Sequence, residues 1–312
     1  MERVSDIIHL KAAHSQNILG QDIGVAVLDT GIIPHPDFVS VKNRIIAFQD
    51  FVNGSSKMYD DNGHGTHVSG ILAGDGFASR GMYCGVAPAC NIISVKVLNQ
   101  KGNGDINNVV AGLRWVVQNK ERYNIRIVNI SVGTTAKSVI SEDSELVKAV
   151  DMVWDNNIVV VVAAGNGGPH PKTIGAPGIS RKVITVGASD DDIAVDLMGK
   201  STKDYSGRGP TSACIKKPDV VAPGSRIISC NAMKRQNPLF GFSKGNMSYY
   251  TEKSGTSMST PLVSGAAALM LSKHPEYTTR DVKLKLRECS DDLGQPHGKQ
   301  GWGRLNIERL LG

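Results

Sequence analysis

A chain of 312 residues, 40% hydrophobic and 21% charged, has the make-up of a globular protein with room for one sizeable core or two smaller ones. Its formal charge of +6 is interspersed with acidic residues and accompanies no nucleic-acid-binding module, so nucleic acid is not an expected partner. No apolar run reaches the roughly 18 residues of a membrane-spanning helix, so no membrane role is expected.

The N-terminal segment 1–20 carries Glu2 and Asp6 and has no apolar leader core. A cytoplasmic location is therefore expected, or an extracellular one if a leader has been trimmed away. The runs "IGVAVLD" (23–29), "NIISVKVL" (91–98), "IRIVNIS" (125–131), "IVVVVAA" (158–164) and "KVITVGA" (182–188) read as strands buried on both faces. Helical spacing appears between them. Over 105–120 it joins Ile106, Val109, Val110, Leu113, Val116 and Val117 behind an N-cap at Asp105; over 142–157 it joins Leu146, Val147, Val150, Val153 and Trp154. The alternation predicts an α/β fold: a doubly wound, mostly parallel sheet flanked by helices, in a single domain over 1–312.

Two segments read as excursions, the Gly-rich loop 74–85 and the long polar loop 231–253 with Phe240, Phe242, Tyr249 and Tyr250. A loop as long as the second is usually functional, and contact with substrate or with a second subunit of a homo-oligomer is expected. The basic stretch "KLKLRE" (283–288) reads as a solvated helix face. Cys84, Cys90, Cys214, Cys230 and Cys289 are odd in number and lack CxxC spacing, which suits free thiols in a reducing compartment. A single Cys84–Cys90 bridge stays open.

Ligands of such sheets gather outside the carboxyl ends of the strands, which places "DTG" (29–31), "SVG" (131–133) and "AAGN" (163–166) on one edge. Asp29 is there either a turn aspartate or an acid. In "DDNGHGTHVSGILAG", His64 and His67 form an HxxH pair without a recognisable third metal ligand; alternatively His64 is an exposed base and His67 a hydrogen-bonded core residue. Asn166 is a turn residue or an amide donor. "SGTSMSTP" (254–261) reads either as a helix start with hydroxyl caps or as a stretch in which one of the serines is a nucleophile held at a helix N-terminus.

Together these fragments supply acid, base, amide donor and serine, and Asp, His and Ser follow one another in the chain order of subtilisin. The sequence resembles the subtilisin-like serine proteases through "AVLDTGI", "NGHGTHVSG", "VVAAGN" and "SGTSMSTPLVSGAAAL". Further similarity runs through "HPDF", "GVAPACNIISVKVL", "KPDVVAPG" and "GWGRLNIERLL". The missing leader, scattered thiols and long loop resemble the intracellular bacterial branch.

The resemblance implies a serine endopeptidase with Ser257 as nucleophile, His64 as base, Asp29 as its orienting acid and Asn166 in the oxyanion hole. It implies substrate strands on Gly102, Asn103, Gly104 and on Ser131, Val132, Gly133. It also implies a pocket lined by Ser131–Gly133, Ala163, Ala164 and Gly165 above Gly175. These segments hold no acid, so large uncharged side chains are the expected preference.

No cofactor is expected for the chemistry. The family's calcium site uses an aspartate at the position of Asp37, but loop 74–85 lacks its asparagines; Asp37, Asp60 and Asp61, with the run 190–192, are the candidate calcium ligands. A different reading is a silent scaffold with the same fold. A nucleotide-binding protein would need a GxGxxG or Walker pattern after the first strand, and "LDTGIIPHPD" has neither.

Overall fold

A computed structural model describes residues 1–132, 143–197, 199–232 and 249–312. Strand β1 (Gly24–Asp29) is buried throughout, and its side chains alternate between two cores. Val25 and Val27 face one apolar cluster, Ala26 and Leu28 the other. A strand used on both faces has no polar alternation, which is why its sequence reads as a continuous apolar run.

Six more strands complete a parallel sheet: β2 (Ile45–Asp50), β3 (Asn91–Lys96), β4 (Ile125–Ile130), β5 (Val159–Ala163), β6 (Ile184–Ala188) and β7 (Val220–Ala222). Their order is β2-β3-β1-β4-β5-β6-β7, with β1 hydrogen-bonded to both β3 and β4. The five strands read from sequence are all present. β2 and β7 are additions. β2 lies at the sheet edge with half-exposed side chains, and β7 has only three residues, so neither carries a long apolar run.

Helices α1 (His64–Ala73) and α4 (Thr256–Lys273) cover one face, packing Val68, Ile71 and Leu72 with Leu262 and Val263. Helices α2 (Ile106–Gln118) and α3 (Glu145–Asp155) cover the other. Asp105 caps α2 by accepting the Asn107 N–H, as expected, and Ser144 caps α3. α4 is buried nearly all round, the fate of a helix without a polar face, and lies against β4, β5 and β6. A fifth helix, α5 (Thr279–Cys289), begins with a capping box between Thr278 and Asp281.

The last four residues of the expected loop 231–253 are a strand. Tyr250–Lys253 forms strand β9, antiparallel to β8 (Ile227–Cys230), because Cys230 pairs with Tyr250 and Ile227 with Lys253. Phe240 and Phe242, like Gly133, lie outside the described residues. All five cysteines are free, so Cys84 and Cys90 are not bridged. No helix among the described residues is long and apolar enough to cross a membrane.

Candidate active site

The carboxyl ends of β1, β4 and β5 and the first turns of α1 and α4 converge on one edge of the sheet. Asp29 closes β1 and is 1% exposed; its Oδ1 accepts the Thr30 N–H and lies 2.7 Å from His64 Nδ1. His64 opens α1. Helix and strand approach so closely that a Cβ at Gly65 would sit 2.3 Å from the Gly31 carbonyl oxygen, so only glycine fits there. Burial alone would lower the His64 pKa, but the charge and hydrogen bond of Asp29 outweigh it and hold the imidazole above its ordinary value, against an opposing push from Lys253.

Ser257 lies in the first turn of α4, half-buried, and its hydroxyl donates to the Ser131 carbonyl at 2.6 Å; it makes no hydrogen bond to His64. Asn166 Oδ1 accepts both the backbone N–H and the hydroxyl of Thr256, each at 3.0 Å. That contact fixes the amide so that Nδ2 is the end left for a ligand. Gly255, at φ +128°, passes beside it, where a Cβ would come within 3.1 Å of Nδ2.

His67 does not join His64 as a metal pair. Its Nε2 faces the carbonyls of Ile227 and Thr251, both at 3.1 Å, and burial, with Lys253 and His64 nearby, lowers its pKa to about 3. It is the neutral core histidine of the second sequence reading.

Asp60 organises the turn that delivers His64. Oδ1 accepts the Thr30 hydroxyl and the N–H groups of Asn62 and Gly63, and Oδ2 accepts the N–H and hydroxyl of Thr66. Burial would raise its pKa, yet these donors hold it below the ordinary carboxylate value. Asp61 pairs with the buried Lys96 at 2.8 Å. Both carboxylates are thus engaged by protein donors.

Asp37 is similarly served. Its carboxylate accepts the Tyr250 hydroxyl at 2.8 and 3.0 Å, the Ala78 N–H at 2.9 Å and the Cys230 thiol at 3.6 Å. Neighbouring His35 accepts the Asp37 N–H at Nδ1 and donates from Nε2 to the Tyr249 carbonyl, which commits both nitrogens. Although His35, Asp37 and Cys230 cluster, the groups aimed at Asp37 are donors, whereas calcium requires converging oxygen acceptors. The arrangement fits a protein-satisfied carboxylate and not a cation shell. In the run 190–192, Asp190 accepts the N–H groups of Gly224 and Ser225, and Asp191 pairs with Arg208 at 2.7 Å.

Gly102, Asn103 and Gly104 meet Val132 across a cleft of about 360 Å³ whose walls include Leu98, Ile106 and Leu146. Ser131 directly follows β4, and its carbonyl meets the Ser257 hydroxyl. The Gly175 N–H donates to the Ala164 carbonyl at 3.3 Å, which brings Gly175 beneath Ala163–Gly165.

Three contributors have no sequence motif of their own. Lys253 on β9 acts on both histidines through its charge, and Asp60 builds the turn. The third is a buried relay in which Ser264 on α4 donates to Asn129 Oδ1 and Asn129 Nδ2 donates to the Ser131 hydroxyl, tying the serine-bearing helix to the end of β4.

Comparison with known proteins bears on the family and the fold. The model described as "Subtilase family" matches residues 20–303. Serine protease AprX of Bacillus subtilis (strain 168) is 41% identical over all of this chain and 71% of its own length. Subtilisin DY of Bacillus licheniformis is 32% identical over 97% of this chain and 95% of its own. The solved structure of sphericase superposes with a TM-score of 0.72 at 28% identity, covering 92% of each chain. A match of this extent, on a seven-stranded parallel sheet with these residues at its carboxyl edge, makes the chain a member of the subtilase family of serine proteases.

Proposed function

We propose that this serine endopeptidase works through Asp29, His64 and Ser257, with Asn166 as an oxyanion donor. The observation that carries the reading is the buried Asp29 carboxylate 2.7 Å from His64 Nδ1, at the sheet edge that also holds Ser257 in the first turn of α4. Asp29 holds the proton on Nδ1, leaving Nε2 as the basic nitrogen. Rotation about the Ser257 Cα–Cβ bond moves Oγ from the Ser131 carbonyl to Nε2.

Oγ then attacks the scissile carbonyl as Nε2 takes its proton. The oxyanion receives Asn166 Nδ2 and the Ser257 N–H, one of the donors that the first turn of a helix leaves unpaired. His64 returns the proton to the leaving amine, and a water completes the second half through the acyl-enzyme. The helix dipole of α4 favours the negative charge at the same place.

The substrate backbone pairs with Gly102–Gly104 on one side and the segment from Ser131 on the other, a mode that reads main chain and tolerates sequence. The neutral lining at Ser131, Val132, Ala163–Gly165 and Gly175 supports large uncharged residues before the scissile bond. The apolar cleft beyond it favours a second apolar side chain. One catalytic domain suffices for this chemistry, no metal takes part, and five free thiols fit a reducing compartment.

The test is hydrolysis of a panel of chromogenic peptides by the chain and by Ser257→Ala, with and without chelator. Activity confined to the unaltered chain and indifferent to chelator is expected. Residual activity in the variant, or a folded chain whose Ser257 ignores a fluorophosphonate probe, would overturn the mechanism.

A further inference from the structure

The basic stretch of α5 does not face solvent alone. Arg280, Leu284 and Arg287 share one helix face and border a pocket of about 330 Å³ whose other walls are Trp154, Trp302, Arg181 and Lys182. The pocket lies at the amino edge of the sheet: Trp154 is in the last turn of α3, just before β5, and Lys182 precedes β6. The active site is at the other edge, a strand length of roughly 16 Å away.

The cations here are not equivalent. Lys283 turns inward, donating to the carbonyls of Arg181, Lys182 and Val183 at 2.9 Å, with its Nζ 5.7 and 5.9 Å from the Trp154 and Trp302 ring centres. Lys182 is paired with Asp155 at 2.7 Å. Arg280 and Arg287 are exposed and make no hydrogen bond or ion pair among the described residues, and Leu284 between them is 41% exposed.

We propose that this pocket is a docking site, separate from the catalytic cleft, for an acidic protein segment carrying one large apolar side chain. The apolar group enters between the indoles and Leu284, and flanking carboxylates take the forked donors of Arg280 and Arg287. Tryptophan and arginine around a concave centre are the residues that dominate binding energy at protein interfaces. The volume admits one or two side chains, which favours a peptide over a base-paired nucleic acid.

The proposal stands apart from the catalytic reading, because binding can be read in the full-length Ser257→Ala chain, where the probe survives. The probe is a capped peptide of four glutamates around a central leucine, followed by tryptophan fluorescence; the chain has three tryptophans and two line this pocket. A saturable change is expected, weakened at least tenfold by Arg280→Glu with Arg287→Glu. Both sites are exposed, and an unchanged melting temperature verifies folding. No saturable change, equal binding by the charge-reversed chain, or equal binding of a single-stranded oligonucleotide of the same charge would each overturn the assignment.

Discussion

Asp60→Asn isolates the turn that delivers His64. The amide keeps one oxygen, and three donors (the Thr30 hydroxyl and the N–H groups of Asn62 and Gly63) draw it to the Oδ1 position. The new NH₂ then faces Thr66. The Thr66 hydroxyl can rotate to accept from it, but the Thr66 N–H, formerly 2.9 Å from Oδ2, loses its acceptor. A buried donor left unpaired costs about 1–3 kcal/mol, and weakening the remaining bonds from charge-assisted to neutral brings the total to about 2–3 kcal/mol. With an unfolding entropy of about 2.1 cal/mol/K per residue, a chain of this length should melt roughly 3–5 °C lower. The assay is calorimetry at one fixed scan rate in a Ser257→Ala background, which removes self-digestion. Because donors depress the Asp60 pKa, its contribution is complete above the ordinary carboxylate value and is lost as pH falls through the lowered folded value; the gap between the two proteins should therefore close in acid. In the active background kcat/KM should fall about 10- to 100-fold, since small displacements of a catalytic base are costly. An unchanged melting temperature at neutral pH together with unchanged kcat/KM would refute the role given to Asp60.

Two further predictions concern the chemistry. Asn166→Ala should lower kcat about 100- to 1000-fold with little change in KM, a magnitude carried over from the corresponding donor of subtilisin, and steady-state kinetics on one good peptide will measure it. Lys253→Met should raise the His64 pKa, because the ammonium opposes imidazolium formation; the acid limb of the kcat/KM profile should move to higher pH, and a limb that stays or moves lower would contradict that electrostatic link.

What could be read from sequence was what the chain writes contiguously. Asp29, His64, Asn166 and Ser257 each sit in a run of small residues at a strand or helix end, so residue type and position coincide in one short window. Asp60 escapes such reading because its partners include Thr30, reached only when β1 and α1 pack together. Asp37 reads from the sequence as a candidate cation ligand, yet its main donor, Tyr250, is 213 positions away and arrives through the β8–β9 pairing. Lys253 touches the histidines' field by the same route. β2 and β7 were missed since a half-exposed edge and a three-residue strand leave no apolar run to see. The basic face of α5 looked solvated because Trp154 and Trp302 come from distant segments.

The burial of α4 has a consequence for when the protein becomes dangerous. In the proposed mechanism the nucleophile Ser257 is carried by the helix that fills one face against β4, β5 and β6, and the proposed acid and base precede it by about two hundred positions. A growing chain thus holds Asp29 and His64 long before it has a serine to activate. Even afterwards Ser257 has no fixed place until the helix has docked against a finished sheet. Such distant pairings form slowly and late. Cleaving power is therefore the last property to be acquired and the first to be lost on unfolding, so half-made copies are prey rather than predators.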